Sequence, residues 1–106
     1  MASTMTDDLS IDRALALAIG WREEYLLNIS GLCFVSPEPH DRWRMFDHKD
    51  HAVIWPIAER FDCFPIKFGD KWCAGMPTHQ IPDLVYHRNP CTAIALAVIA
   101  AHGGKA

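Results

Sequence analysis

The sequence predicts an α+β domain in which a small antiparallel sheet of two to four strands is layered with three helices. Three observations carry this. Apolar residues recur at helical spacing in two separate segments, and a third, Ala-rich segment carries a helix start and a helix stop. A glycine-centred hairpin lies between the second and third of these segments. The order of elements keeps the helices on one layer or another of the strands rather than alternating them with parallel strands.

The first helix is expected at about residues 8–19. In "LSIDRALALAIGW", Ile11, Leu15, Ala18 and Ile19 fall on one face, and Gly20 is a natural stop. Asp7, Asp8 and Asp12 put negative charge at the helix start, where the macrodipole favours it. Residues 1–6 are expected to be disordered.

Residues 22–48 resist assignment. "YLLNISGLCFV" offers a strand around Leu32–Val35, but its polar–apolar alternation is poor. "SPEPHDRW" reads as a loop because of its prolines and polar residues. The whole stretch is expected to be irregular or partly strand, and long for a connection without structure of its own.

The second helix follows in "FDHKDHAVIWPIAERF". Ile54, Ile57, Ala58 and Phe61 line one face, and Asp47 or Asp50 can cap the start. Pro56 then falls inside the helix, where it removes one backbone hydrogen bond. "CFPIKFGDKWCAGM" reads as a hairpin turning at Gly69-Asp70. That register pairs Phe68 with Lys71, Ile66 with Cys73 and Phe64 with Gly75. The Phe64/Ile66/Phe68 face is expected to meet the helices, and Trp72 shares the opposite face with Pro65, Lys67 and Ala74. "THQIPD" reads as a loop and "LVYHR" as a third strand. Asn89 and Pro90 then start a helix through "CTAIALAVIAAH" that Gly103-Gly104 ends.

The 106 residues fit a single domain, and half of them are apolar. Net charge is −3, with no Lys/Arg run, so nucleic-acid binding has no electrostatic footprint. No apolar run is long enough to span a membrane, and no basic, apolar leader opens the chain. Cys33, Cys63, Cys73 and Cys91 contain no C-x-x-C pair, which predicts four reduced, mostly buried thiols rather than a zinc framework. These features together predict a cytoplasmic protein without a cofactor.

Three segments together resemble a known family, the phage ABA sandwich domain of small proteins of tailed phages and prophages. "DRALALAIGW" is similar to the family's first helix, which ends in Gly-Trp, here Gly20 and Trp21. "DHAVIWPIAERF" is similar to its second helix through Asp50, Ala52, Trp55 and Glu59. A hairpin bearing Trp72 and the Pro-led, Ala-rich "NPCTAIALAVIAAH" complete the match. Pro56 and the unaligned 22–48 segment depart from the pattern. The resemblance implies a layered α/β/α fold and a phage gene product acting in the bacterial cytoplasm. It brings no activity and no catalytic residues.

His48 and His51, flanked by Asp47 and Asp50, are the candidates for acid–base or metal chemistry. A metal site needs three or four ligands held by outer partners. His40, His79, His87 and Cys33 could join only through the fold. The expectation is a polar helix start with solvated histidines and no metal. Ser30 and Ser36 lack the surroundings of an activated nucleophile, and no P-loop or G-x-G-x-x-G is present.

Of the four tryptophans, Trp21, Trp55 and Trp72 lie in or beside regular elements and are expected in the core. Trp43 lies in "HDRWRMF", whose residue types are enriched at protein interfaces. The sequence therefore predicts a non-enzymatic protein that binds a host or phage protein, one attractive form being inhibition of a bacterial defence system. Arg42, Trp43, Arg44, Phe46 and Trp72 are the candidate contact residues. The competing expectations are a small metal-dependent or acid–base enzyme using His48 and His51, and a structural or assembly component of a phage.

Overall fold

In a computed structural model of the chain, residues 8–36, 43–75 and 84–103 are described below. The expectations for residues 1–6, for Arg42, His40 and His79, and for the "THQIPD" loop lie outside these. The elements run α1 (Asp8–Ala18), a 3₁₀ turn (Glu23–Tyr25), β1 (Leu26–Ile29), β2 (Leu32–Val35), β3 (Arg44–Met45), α2 (His51–Phe61), β4 (Ile66–Phe68), β5 (Lys71–Ala74), β6 (Val85–His87) and α3 (Pro90–Val98). A π-helical turn, Ile99–Gly103, extends α3. The fold is α+β as expected, but its strands form two antiparallel three-stranded sheets, ordered β1-β2-β3 and β4-β5-β6.

Local chemistry sets the helix ends. Gly20 has φ +113°, which ends α1 in a conformation that favours glycine. Asp50 caps α2 by accepting from the Ala52 N–H. Asp62 closes that helix in the left-handed region at φ 52°. Asn89 caps α3 by accepting from the Cys91 and Thr92 N–H groups, with Pro90 in the first turn. Pro56 does lie inside α2.

α3 is the central element and packs against α1, α2, β5 and β6. This position explains its composition. A helix touched on every side must be apolar all round, and Cys91, Thr92, Ala93, Ile94, Ala95, Ala97 and Val98 are all buried. Ile54, Ile57 and Ala58 of α2 and Ile11, Leu15 and Ala16 of α1 complete that core.

The second sheet turns over relative to the expectation. The register is the predicted one, with Ile66 opposite Cys73 and Phe68 opposite Lys71. Within the strands the faces are reversed, although Phe64, ahead of β4, does meet Trp55 of α2. Ala74 is in the core, with Trp72 and Val85 packed against it, whereas Ile66 and Phe68 are each 66% exposed. The physical reason lies in α3, which packs on β5 and β6 and so takes the face that carries Ala74, Trp72 and Val85 into the core. Trp55, expected in the core, is 47% exposed.

Residues 22–48 contain a second hairpin that the sequence concealed. Ser30 and Gly31 both have positive φ (55° and 77°), the signature of a type I′ turn. β1 and β2 pair across it, with Leu27 opposite Phe34 and Ile29 opposite Leu32. β3 adds to β2, with Met45 opposite Phe34.

Candidate functional site

His48 is not a solvated residue of the α2 start. It sits two residues before the cap and is fully buried. Its backbone N–H donates to Asp12 Oδ1 at 2.8 Å. Its ring Nδ1 lies 2.6 Å from the same oxygen, and its Nε2 lies 2.9 Å from Thr92 Oγ1. In the neutral imidazole with Nδ1–H facing the carboxylate, Nε2 is the acceptor and the Thr92 hydroxyl the donor. The connectivity is acid, imidazole, hydroxyl, the order found in hydrolase triads. Access is what differs: Asp12 is 5% exposed, His48 0% and Thr92 4%. No substrate atom reaches the hydroxyl without the domain opening. As built, the three side chains tie α1, the α2 approach and α3 together and satisfy one another's buried polar groups.

Asp47 completes the only group of potential metal ligands gathered among the described residues, with donor atoms of Asp12, Asp47 and His48 all within 4.8 Å. These three could hold a hard divalent cation. In the structure, however, Asp12 and His48 bond each other and Asp47 accepts from the Lys49 N–H at 2.9 Å. His51, paired with His48 by sequence spacing, is exposed at the first position of α2 and stands outside this group. His87 is likewise separate and accepts from the Asn89 N–H.

The second feature is the outer face of the β1–β2–β3 sheet. Leu26, Cys33 and Val35 point to the core. On the other face stand Leu27, Ile29, Leu32, Phe34 and Met45, contiguous through the cross-strand pairs. Leu27, Ile29, Leu32 and Met45 are 38–51% exposed, and neighbouring Trp43 is 39% exposed. An antiparallel sheet with one covered face ordinarily shows polar residues on the other. Here both faces are apolar, which is why the sequence lacks alternation.

The predicted contact residues separate accordingly. Trp43 is exposed beside this face, Arg44 is exposed but stands opposite Val35 and so shares the other face, and Arg42 lies outside the described residues. Phe46 is only 5% exposed and belongs to the core, where its backbone N–H also bonds Cys33 O. Trp72 is half-buried against the core and carries the Lys67 ammonium over its ring. The chain itself therefore covers much of Trp72. Asp12, expected as helix-start charge, is instead buried against His48, and Thr92 was given no role, although each carried a signal. Asp12 falls on the Ile11/Leu15/Ala16 face of α1, and Thr92 is the one hydroxyl in an otherwise apolar helix.

All four cysteines are free and buried. Burial pushes the Cys33 thiol up to about 11, with Asp12 adding to the effect. Burial likewise pushes Cys63 up to about 11, helped by Asp62. Neither has the stabilised thiolate of a nucleophilic cysteine.

Among the described residues, no helix is long and apolar enough to cross a membrane. No family model, curated protein or solved structure matches the chain.

Proposed function

We propose that this is a non-enzymatic binding protein that docks a protein partner on the outer face of the β1–β2–β3 sheet. One observation carries the reading: five apolar side chains from three strands, Leu27, Ile29, Leu32, Phe34 and Met45, form a continuous surface on which Phe34 is half-buried and the other four are 38–51% exposed. Contiguous exposed apolar surface of this kind marks interaction sites. Trp43, two residues before Met45, extends the face with a side-chain type that dominates binding energy at interfaces. The resemblance to the phage ABA sandwich family supplies the setting, a host or phage protein in the bacterial cytoplasm, with stoichiometric inhibition of a defence complex as one form.

The test is affinity capture from bacterial lysate with the wild-type chain, Leu32→Asp, Met45→Asp and Trp43→Ala, each checked for native circular dichroism. The reading requires a specific partner held by the wild type and lost by the folded variants. Retention of the same partner by all three would remove this face as the binding surface.

A further inference from the structure

We infer that the cleft between α2, α3 and β5 is a binding site for a small, uncharged, planar aromatic molecule. The cleft encloses about 540 Å³, within the ~300–1,000 Å³ typical of ligand pockets. Its floor is Ile54, Cys91 and Ile94, which are 0%, 6% and 1% exposed. These sit on two capped helices, so the floor is formed before any ligand arrives. Trp55, Phe64 and Trp72 make the walls.

The walls point to the ligand class. Trp55 and Phe64 meet edge to face, with ring centroids 5.3 Å apart and planes at 61°. They hold each other in place, yet they remain 47% and 39% exposed. A flat ring entering the cleft would cover both by stacked or edge contacts, the arrangements aromatic quadrupoles favour.

Charge selects against ionic ligands. The Ala52 N–H at the start of α2 is taken by Asp50, and the Cys91 and Thr92 N–H groups at the start of α3 are taken by Asn89. These donors are therefore not free to cradle an anion. Lys67 Nζ already sits 5.3 Å from the Trp72 ring centroid, so a ligand cation would meet a like charge there. Asp47 and Asp50 act from the other end, where, after burial, their charges raise the Cys91 thiol. Flanking charges of both signs leave a neutral ring as the best-matched guest; of the described residues that line the cleft itself, exposed His51 is the one ionisable side chain besides the Cys91 thiol.

The experiment is a ¹H–¹⁵N NMR titration of the intact chain with indole, tryptamine and indole-3-acetate, which share a ring system and differ in charge. Indole is expected to shift the Ile54, Cys91 and Ile94 amides and the Trp55 and Trp72 indole N–H signals saturably, with a Kd on the order of 1 mM for so small a probe. Trp55→Ala should weaken it at least about fivefold, and Phe64→Ala gives the same test should that variant fold poorly. Absence of saturable shifts at the cleft, unchanged affinity in the folded variant, or tighter binding of either charged analogue would overturn the inference. The β1–β2–β3 face is not involved, so its fate as a docking surface is decided separately.

Discussion

Asp12 Oδ1 accepts two hydrogen bonds from one residue, His48, through its backbone N–H at 2.8 Å and its ring Nδ1 at 2.6 Å. Both groups are buried, so neither can turn to water if its partner is removed. Thr92→Val keeps the shape of the side chain but leaves His48 Nε2 without its 2.9 Å partner. It should cost about 1–3 kcal/mol. Asp12→Ala orphans two donors and should cost more. Urea denaturation of the single and double variants measures both the losses and their coupling. Additive, near-zero effects would mean that the network contributes nothing to stability.

The buried thiols predict a pH dependence. Cys33 and Cys63 rise from 9.0 to about 11 in the folded chain. Their contribution is fully present below pH 9, where the unfolded thiols are still protonated. It is lost as pH rises from 9 toward 11, because the unfolded state releases protons the native state retains. The melting temperature should fall across that window, and a Cys33→Ala/Cys63→Ala variant should show a shallower fall. An identical pH profile in that variant would refute the assignment. Thiol labelling at pH 8 should be slow in the native chain and complete in denaturant.

Pro56 is exposed and sits at the sixth residue of α2, His51–Phe61. Its ring removes the donor that would otherwise reach the Ala52 carbonyl. A proline in a helix interior costs about 3 kcal/mol relative to alanine. Pro56→Ala should therefore raise the melting temperature or leave it unchanged. A clear drop would show that the packing of α2 requires the proline geometry.

The orientation of the second sheet is open to direct test. Ala74 is 2% exposed, while Ile66 and Phe68 are each 66% exposed. Ala74→Leu should cost about 1–3 kcal/mol by overpacking against α3. Ile66→Thr should stay within about 0.5 kcal/mol of the parent, and Phe68→Thr should lose only the ring contact with Tyr86, about 0.5–1.5 kcal/mol. The reverse pattern in denaturation midpoints would place the phenylalanine face inward.

Much of the fold was legible in the residues. The caps Asp50 and Asn89, the stop at Gly20 and the Gly69-Asp70 turn are local chemistry, and the structure keeps each. The face of the second sheet was not legible, because period-two alternation identifies two faces without saying which one the helices need. The packing of α3 on β5 and β6 decides it, and that is a tertiary fact. The first hairpin was hidden for a related reason. Ser30-Gly31 marked its turn, but Leu27, Ile29, Leu32 and Phe34 made the outer face as apolar as the inner one. The candidate surface was thus partly visible through Trp43, while its larger part coincided with the failure of the pattern. His48 was found as a residue and misplaced as an environment, since its partners are 36 and 44 positions away.

That separation has a kinetic consequence. The two hairpins close over two-residue turns, so they can form in about 1–10 μs. The Asp12–His48–Thr92 network can close only after α1, the α2 approach and α3 have been brought together, with the loop-closure entropy that entails. Its bonds should be absent from the folding transition state. Thr92→Val should then accelerate unfolding while leaving the refolding arm of the chevron nearly unmoved. The buried histidine would act as a latch on the finished domain, setting how long it stays folded rather than how fast it folds.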